Sequence, residues 1–568
     1  MSERIYKGKK VVHAEFRHAT HVKSKESRDD LHVVKEILHF EDGTSEPALN
    51  FIKNYKRAAY IAKPGKRDYK EKRVREKLEN LTKIEATESD IYYKVAKQLG
   101  LQFTGSVRSL LNSPHIYGLD ITSTSVLASQ YRKKYHSGKI TPCSVAGFDI
   151  ETNMLKPGNE ITISTVSFKD RAIVTVTKDF VKGILNPEEA IRNTLDRLIG
   201  DTLKERNIKV QIKIVENEAM AVVETFKEVH KWQPDIISSW NQVYDLENSV
   251  RALEDAGIDP ATVFSDPSVP KEYMYARWEE GLKEKKTDSG KLTSINMEER
   301  WNRMICPASF YFLDAMTVYS RVRAQSESKE EKYTLEHILK VNGLPGKLDI
   351  EEARHLLKGS PDWHKFLQRY YPLEYIAYNL IDCIVLEELD EKIKDLSTMV
   401  PSQCKFSDYF SFKSQPKRVT DALHWFALDR GYVLGTTGQR DSMTGGWNEY
   451  VVSIRDWIVN LDAHLMAPNP TNILKEIDKH LCSVYTYVYD LDIKSSYPTS
   501  VVVLNISKET TKSEVTKIDG VSYYMQCMQS LNLISGRCNG TEVAVDLFGL
   551  PKPDELLELY KKTKLKAA

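Results

Sequence analysis

At 568 residues, with 41% hydrophobic and 28% charged side chains, the chain is long enough for several folded domains, because single cores stop growing near roughly 250–300 residues. A formal net charge of +1 excludes a uniformly basic nucleic-acid binder and confines any such site to a local groove. Seven scattered cysteines without a Cys-x-x-Cys pair argue against a disulfide or zinc framework, and a polar, basic start with no apolar run of bilayer length predicts a soluble cytoplasmic protein without membrane contact, in the host cytoplasm if the source is viral.

Residues 53–77 are rich in Lys and Arg, with Tyr55, Tyr60 and Tyr69 interleaved and Pro64-Gly65 as a break. Such a stretch can contact phosphates and stack on bases; its bland alternative is a solvated helix of alternating charge. From 143 to 241 the pattern is more regular. Residues 144–151, 160–168 and 172–177 read as three consecutive strands, the last two rich in β-branched residues. A helix follows with Asn186 as N-cap and Pro187 at its first position. Next come a strand at 209–215, a helix at 217–231 and a short strand at 235–239. Three antiparallel strands followed by alternating helix and strand predict an α/β domain of ribonuclease H type. Beyond it, 278–303 reads as a hydrophilic surface stretch, 372–396 as a helix turning from apolar to charged, and 402–414 and 435–447 as loops. A strand at 483–492 and a helix at 553–564 close the series.

Three segments carry acids in settings that ask for a cation. Phe148-Asp149-Ile150-Glu151 ends the first strand; side chains alternate along a strand, so Asp149 and Glu151 share one face and Phe148 and Ile150 the other. Two carboxylates so close repel unless a cation lies between them, although acid-x-acid pairs arise by chance roughly ten times in a chain of this composition. In the segment 234–245, "PDIISSWNQVYD", a buried strand runs into Asn241 and a helix begins near Tyr244, placing Asp245 in its first turn, where an acid also serves as an ordinary cap. In the third, Tyr378 and Asp382 lie one helical turn apart, and Asp382 sits among Leu380, Ile381, Ile384 and Val385. A bare carboxylate there costs several kcal/mol, so it is paired or metal-bound; a buried Asp–Arg pair is the structural alternative. Together the acids Asp149, Glu151, Asp245 and Asp382 make an oxygen-ligand set suited to magnesium or manganese. Two such ions roughly 3.5–4 Å apart serve phosphodiester hydrolysis.

The order Asp-x-Glu, Asn-x-x-Tyr-Asp, Tyr-x-x-x-Asp resembles the three proofreading exonuclease motifs of family B DNA polymerases. The neighbouring "FDIE", "PDIISSWN", Leu313-Asp314, "YTLEHI" and Lys347-Leu348-Asp349 are similar too. The resemblance implies a 3′→5′ exonuclease with two Mg2+ or Mn2+ ions, held by Asp149, Glu151 and Asp382. Asp245 would complete the site and Tyr378 would orient the attacking water. Tyr489 to Ser500, "YDLDIKSSYPTS", resembles the first polymerase motif, Asp-x-x-Ser-Leu-Tyr-Pro-Ser, with Ser496 in place of Leu and Thr499 in place of the last Ser. By that likeness Asp492 is a polymerase metal ligand, Ser495, Ser496 and Tyr497 lie at the nucleotide, and Tyr497 packs under its sugar. "LNISKET" at 504–510 is similar to the continuation in T-even-type bacteriophage polymerases.

Two further family elements, Lys-x-x-x-Asn-Ser-x-Tyr-Gly and Asp-Thr-Asp, do not occur after Ser500. Half a ligand set does not support nucleotidyl transfer. The expectation is therefore a split polymerase, with a second chain supplying fingers, remaining palm and thumb, or else a truncated product. A half-palm leaves 501–504, "VVVL", for a partner to cover, and Gly445-Gly446 is either an ordinary turn or a template-touching loop. The expected divisions are an N-terminal domain (1–140), an exonuclease domain (141–398), a connecting segment returning to the N-terminal domain (399–475) and the first part of a palm (476–568). Expected partners are a single-stranded 3′ end, primer–template DNA, the second chain and a sliding clamp. The competing reading is a non-catalytic polymerase remnant that binds nucleic acid.

Overall fold

The alternation at 145–152 that separates Phe148 and Ile150 from Asp149 and Glu151 is realised as a strand at the centre of a six-stranded sheet. In the computed structural model this sheet comprises β1 (Val145–Thr152), β2 (Ile161–Phe168), β3 (Arg171–Thr177), β4 (Lys209–Val215), β5 (Ile236–Ser239) and β6 (Tyr311–Asp314), in the spatial order β4-β3-β2-β1-β5-β6. The first three strands form an antiparallel meander, with Asp149 opposite Thr165 and Glu151 opposite Ile163. Strand β4 runs parallel to β3, β5 parallel to β1, and β6 parallel to β5. The chain is thus mixed α/β, as the order of predicted elements implied. The structure describes residues 4–436 apart from 71–72, 74, 102–106, 112, 136–140, 287–290, 325–329 and 331, together with the paired strands Ile473–Ile477 and Cys482–Tyr485.

Helices cover both faces of the sheet, each through an apolar stripe. On one face α2 (Glu218–Trp232), capped by Asn217 Oδ1 accepting from the Met220 amide at 3.0 Å, packs Val222 and Phe226 against Phe148, Val166 and Ile173. On the other lie α1 (Pro187–Glu205) and α4 (Pro372–Ile393), which join Ile163, Val174 and Val176 in the larger core. Helix α4 is buried on nearly every side from Tyr375 to Leu386, the property of a helix that is apolar all round. Its approach to the sheet depends on Gly147: a Cβ built there would lie 2.1 Å from the Cys383 carbonyl oxygen. Glycine permits this backbone-to-backbone contact and no other residue does.

Several expected elements take a different form. Asn186 precedes α1 but sits in the left-handed region at φ 44° and makes no side-chain cap, so Pro187 and the first-turn acids start that helix unaided. The stretch 53–77 is not a helix. Arg57–Ala62 is a strand pairing with Leu81–Ala86 and Ile116–Tyr117, Pro64–Lys66 is a 3-10 turn, and Arg75–Lys77 pairs with Tyr432–Leu434. The uninterrupted apolar run Ala58-Ala59-Tyr60-Ile61-Ala62 and the Pro64-Gly65 break outweigh the charge pattern there. The stretch 278–303 contributes short strands but also buries Ile295 and Trp301, and 402–414 contains the 3-10 turn Tyr409–Lys413. By contacts the chain divides into two units, Met1–Thr437 and Gly438–Ala568. No helix among the described residues is long and apolar enough to cross a membrane.

Candidate metal centre

Strand β1 carries Gly147, Asp149 and Glu151 on the face that meets α4, and α4 brings Asp382 to them one residue before the Gly147 contact. The result is a cluster in which one carboxylate oxygen from each of Asp149, Glu151 and Asp382 lies within 4.8 Å of the others. Asp245, in the first turn of α3 (Gln242–Asp255), is 2% exposed and close enough to raise the proton affinity of Asp149, but it stands outside the cluster itself.

Ordered donors hold the acids in place. Asn379 Nδ2 donates to Asp149 Oδ2 at 2.6 Å, and the Tyr375 hydroxyl donates to Glu151 Oε2. His364 Nδ1 lies 2.7 Å from the Tyr375 hydroxyl, so the imidazole supports the tyrosine that supports the acid. Lys347 Nζ donates to Asp382 Oδ2 at 2.6 Å and to the Tyr378 hydroxyl at 2.8 Å. Tyr375 and Tyr378 stack at 5.9 Å between ring centroids, with Trp363 against the edges of the pair. This packing fixes rotamers that would otherwise be free.

Burial dominates the electrostatics. It pushes Asp149 well above the ordinary aspartate range, with Asp245, Glu151 and Asp382 adding repulsion and Lys347 opposing. It raises Glu151 to about 7 against the stabilising Tyr375 hydrogen bond. Asp245 and Asp382 are raised for the same first reason, and Lys347 and Tyr378 partly offset the shift of Asp382. Burial disfavours the Lys347 ammonium as well, but Asp382, Tyr378 and Asp149 overcome it and hold the lysine charged. Four carboxyl groups that resist ionisation despite the Lys347 ammonium beside them describe a site short of positive charge.

The donor set fits a hard divalent cation. Asp382 Oδ1 and Asp245 Oδ2 are buried and have no hydrogen-bond partner among the described residues, and an unpaired buried carboxylate oxygen is costly unless a cation claims it. The cluster could therefore bind a metal.

Of the residues singled out from sequence, Asp149, Glu151 and Asp382 converge, Asp245 lies beside them, and Tyr378 faces Asp382 through Lys347. Asp492, Ser495, Ser496 and Tyr497, with Gly445-Gly446, 501–504 and 553–564, lie outside the described residues. Asp314 is a helix cap, accepting from the Thr317 amide at 2.8 Å and from Asn302 at 3.0 Å. The supporting groups Tyr375, Asn379 and His364 escaped the sequence reading. Tyr375 and Asn379 lie seven and three residues before Asp382 on one helix, a spacing that puts all three on one face; His364 has no comparable signal. A scan of the chain against models of known protein families finds none that matches, and no curated protein matches it either.

Proposed function

We propose that this chain is a two-metal 3′→5′ exonuclease of the proofreading type, acting on the single-stranded 3′ end of DNA and belonging to a family B DNA polymerase. The observation that carries the reading is the convergence of Asp149, Glu151 and Asp382 from two separate elements, with Asp245 from a third beside them. The antiparallel meander β1–β2–β3 followed by the parallel strands β5 and β6 supports a ribonuclease H-like domain. Magnesium or manganese ions, when bound in such a site, activate a water and stabilise the leaving oxygen of the phosphodiester.

The chain's own residues do the rest. Asp149, Glu151 and Asp382 supply the negative oxygen ligands, and Asp245 holds further charge behind Asp149. Tyr378, fixed by its stack on Tyr375 and by Lys347, orients the attacking water through its hydroxyl. Asn379 and Tyr375 keep the acids from rotating away when the site is empty. The motif at Asp492, Ser495, Ser496 and Tyr497 extends the reading to polymerase function with a second chain bearing the remaining motifs, on primer–template DNA in the cytoplasm and with a sliding clamp.

The test is degradation of 3′-labelled single-stranded DNA by the purified chain with Mg2+ or Mn2+. Asp149→Ala is expected to abolish it, and retained activity in that variant defeats the assignment. Calorimetric titration separates the competing remnant reading, which requires that no divalent cation bind. Primer extension is expected only when the second chain is added.

A further inference from the structure

A cavity of about 280 Å3 lies apart from the acids, and none of its lining residues belongs to the metal centre. Its walls include three aromatic side chains, Tyr55, Tyr60 and Trp425, and its rim carries Lys56, Lys83 and Lys133. The volume sits at the lower edge of small-molecule sites, about 300 Å3, and suits a group the size of one nucleotide.

Trp425 and His424 line the cavity and are 8% and 4% exposed. The rim is also cationic in excess: Lys56 and Lys83 face one acid, Glu85, which Lys83 meets at 2.6 Å, and Lys133 meets Asp429 at 2.7 Å. These pairs are about half exposed, so a stronger anion displaces them at small cost. Aromatic walls with a lysine rim match a planar base that carries a phosphate. Tyr55 and Tyr60 also come from the basic, tyrosine-interleaved stretch whose chemistry the acid cluster leaves unused.

We propose that the cavity bounded by Tyr55, Tyr60 and Trp425 is a nucleotide-binding site, which takes the base between its aromatic walls and the phosphate on its lysine rim. The proposal stands on the cavity alone and does not require the nuclease reading. The ligand is either a free nucleotide or one residue of a single strand.

The experiment uses the full chain in excess chelator, so that hydrolysis plays no part. Deoxythymidine monophosphate and a short oligothymidylate are titrated separately, and a strand bearing 5-iododeoxyuridine is photo-crosslinked and mapped by mass spectrometry. Cross-links are expected on Tyr55, Tyr60 or Trp425. Lys56→Glu combined with Lys133→Glu, both at exposed positions, is expected to weaken binding about tenfold, and Trp425→Leu about fivefold or more. Saturable binding of the monophosphate assigns the site to a free nucleotide, and binding of the strand alone assigns it to single-stranded DNA. Cross-links that map elsewhere, or affinities unchanged by the lysine reversals, overturn the proposal. Should Trp425→Leu fail to fold, the lysine variants decide.

Discussion

Removing divalent cations and raising the pH from about 5 to about 8 should expose the cost of the empty acid cluster. Burial raises Glu151 from 4.5 to about 7. The folded chain therefore binds a proton across that interval which the unfolded chain has released, and stability falls as pH rises through it. Each tenfold step in proton affinity is worth about 1.4 kcal/mol, so ionising Glu151 costs the metal-free fold on the order of 3 kcal/mol. Asp149 and Asp245, raised for the same reason, act in the same direction. The buried His18, His32, His364 and His424, held down to about 4, act oppositely, because they charge in the unfolded chain first. The quantity to measure is therefore the difference in urea-unfolding free energy between wild type and Glu151→Gln, with chelator and with Mn2+. In chelator the glutamine variant should gain on wild type as pH rises; with Mn2+ the order should reverse. A difference independent of pH in chelator would refute the electrostatic account of the cluster.

Other perturbations test the supports. Gly147→Ala places a Cβ against the Cys383 carbonyl and should cost at least the ~1–3 kcal/mol of an overpacked core; a thermal midpoint equal to wild type would exclude close backbone approach there. Tyr375→Phe removes the donor to Glu151, a hydrogen bond to a charged group worth about 1.5–3 kcal/mol. Calorimetry should find weaker metal binding near neutral pH, recovering as pH rises, and an unchanged pH profile would place Glu151 under other control.

The parts of the fold legible in the sequence are those where a local pattern and the tertiary environment agree. The alternation of Phe148, Asp149, Ile150 and Glu151 specifies both a strand and which face is charged, because side-chain direction is fixed by the backbone. Asp382 is legible because an acid in an apolar helix has few stable explanations. The basic stretch at 53–77 misleads because charge on a rim and charge on a solvated helix look alike in one dimension. Lys347 and His364 reach the site from other segments, 35 and 18 residues before Asp382 in the chain. No spacing rule connects them, and only the folded arrangement does.

The ammonium of Lys347 sets an electrical balance for the whole pocket. With Asp149, Glu151, Asp245 and Asp382 ionised, it cancels one of their charges, and a pair of dications would outweigh the remainder by a single positive charge. One phosphodiester carries the opposite charge. Under the proposed reading, the ensemble is neutral only when ions and strand are present together, so DNA should tighten ion binding and ions should tighten DNA binding by the same factor.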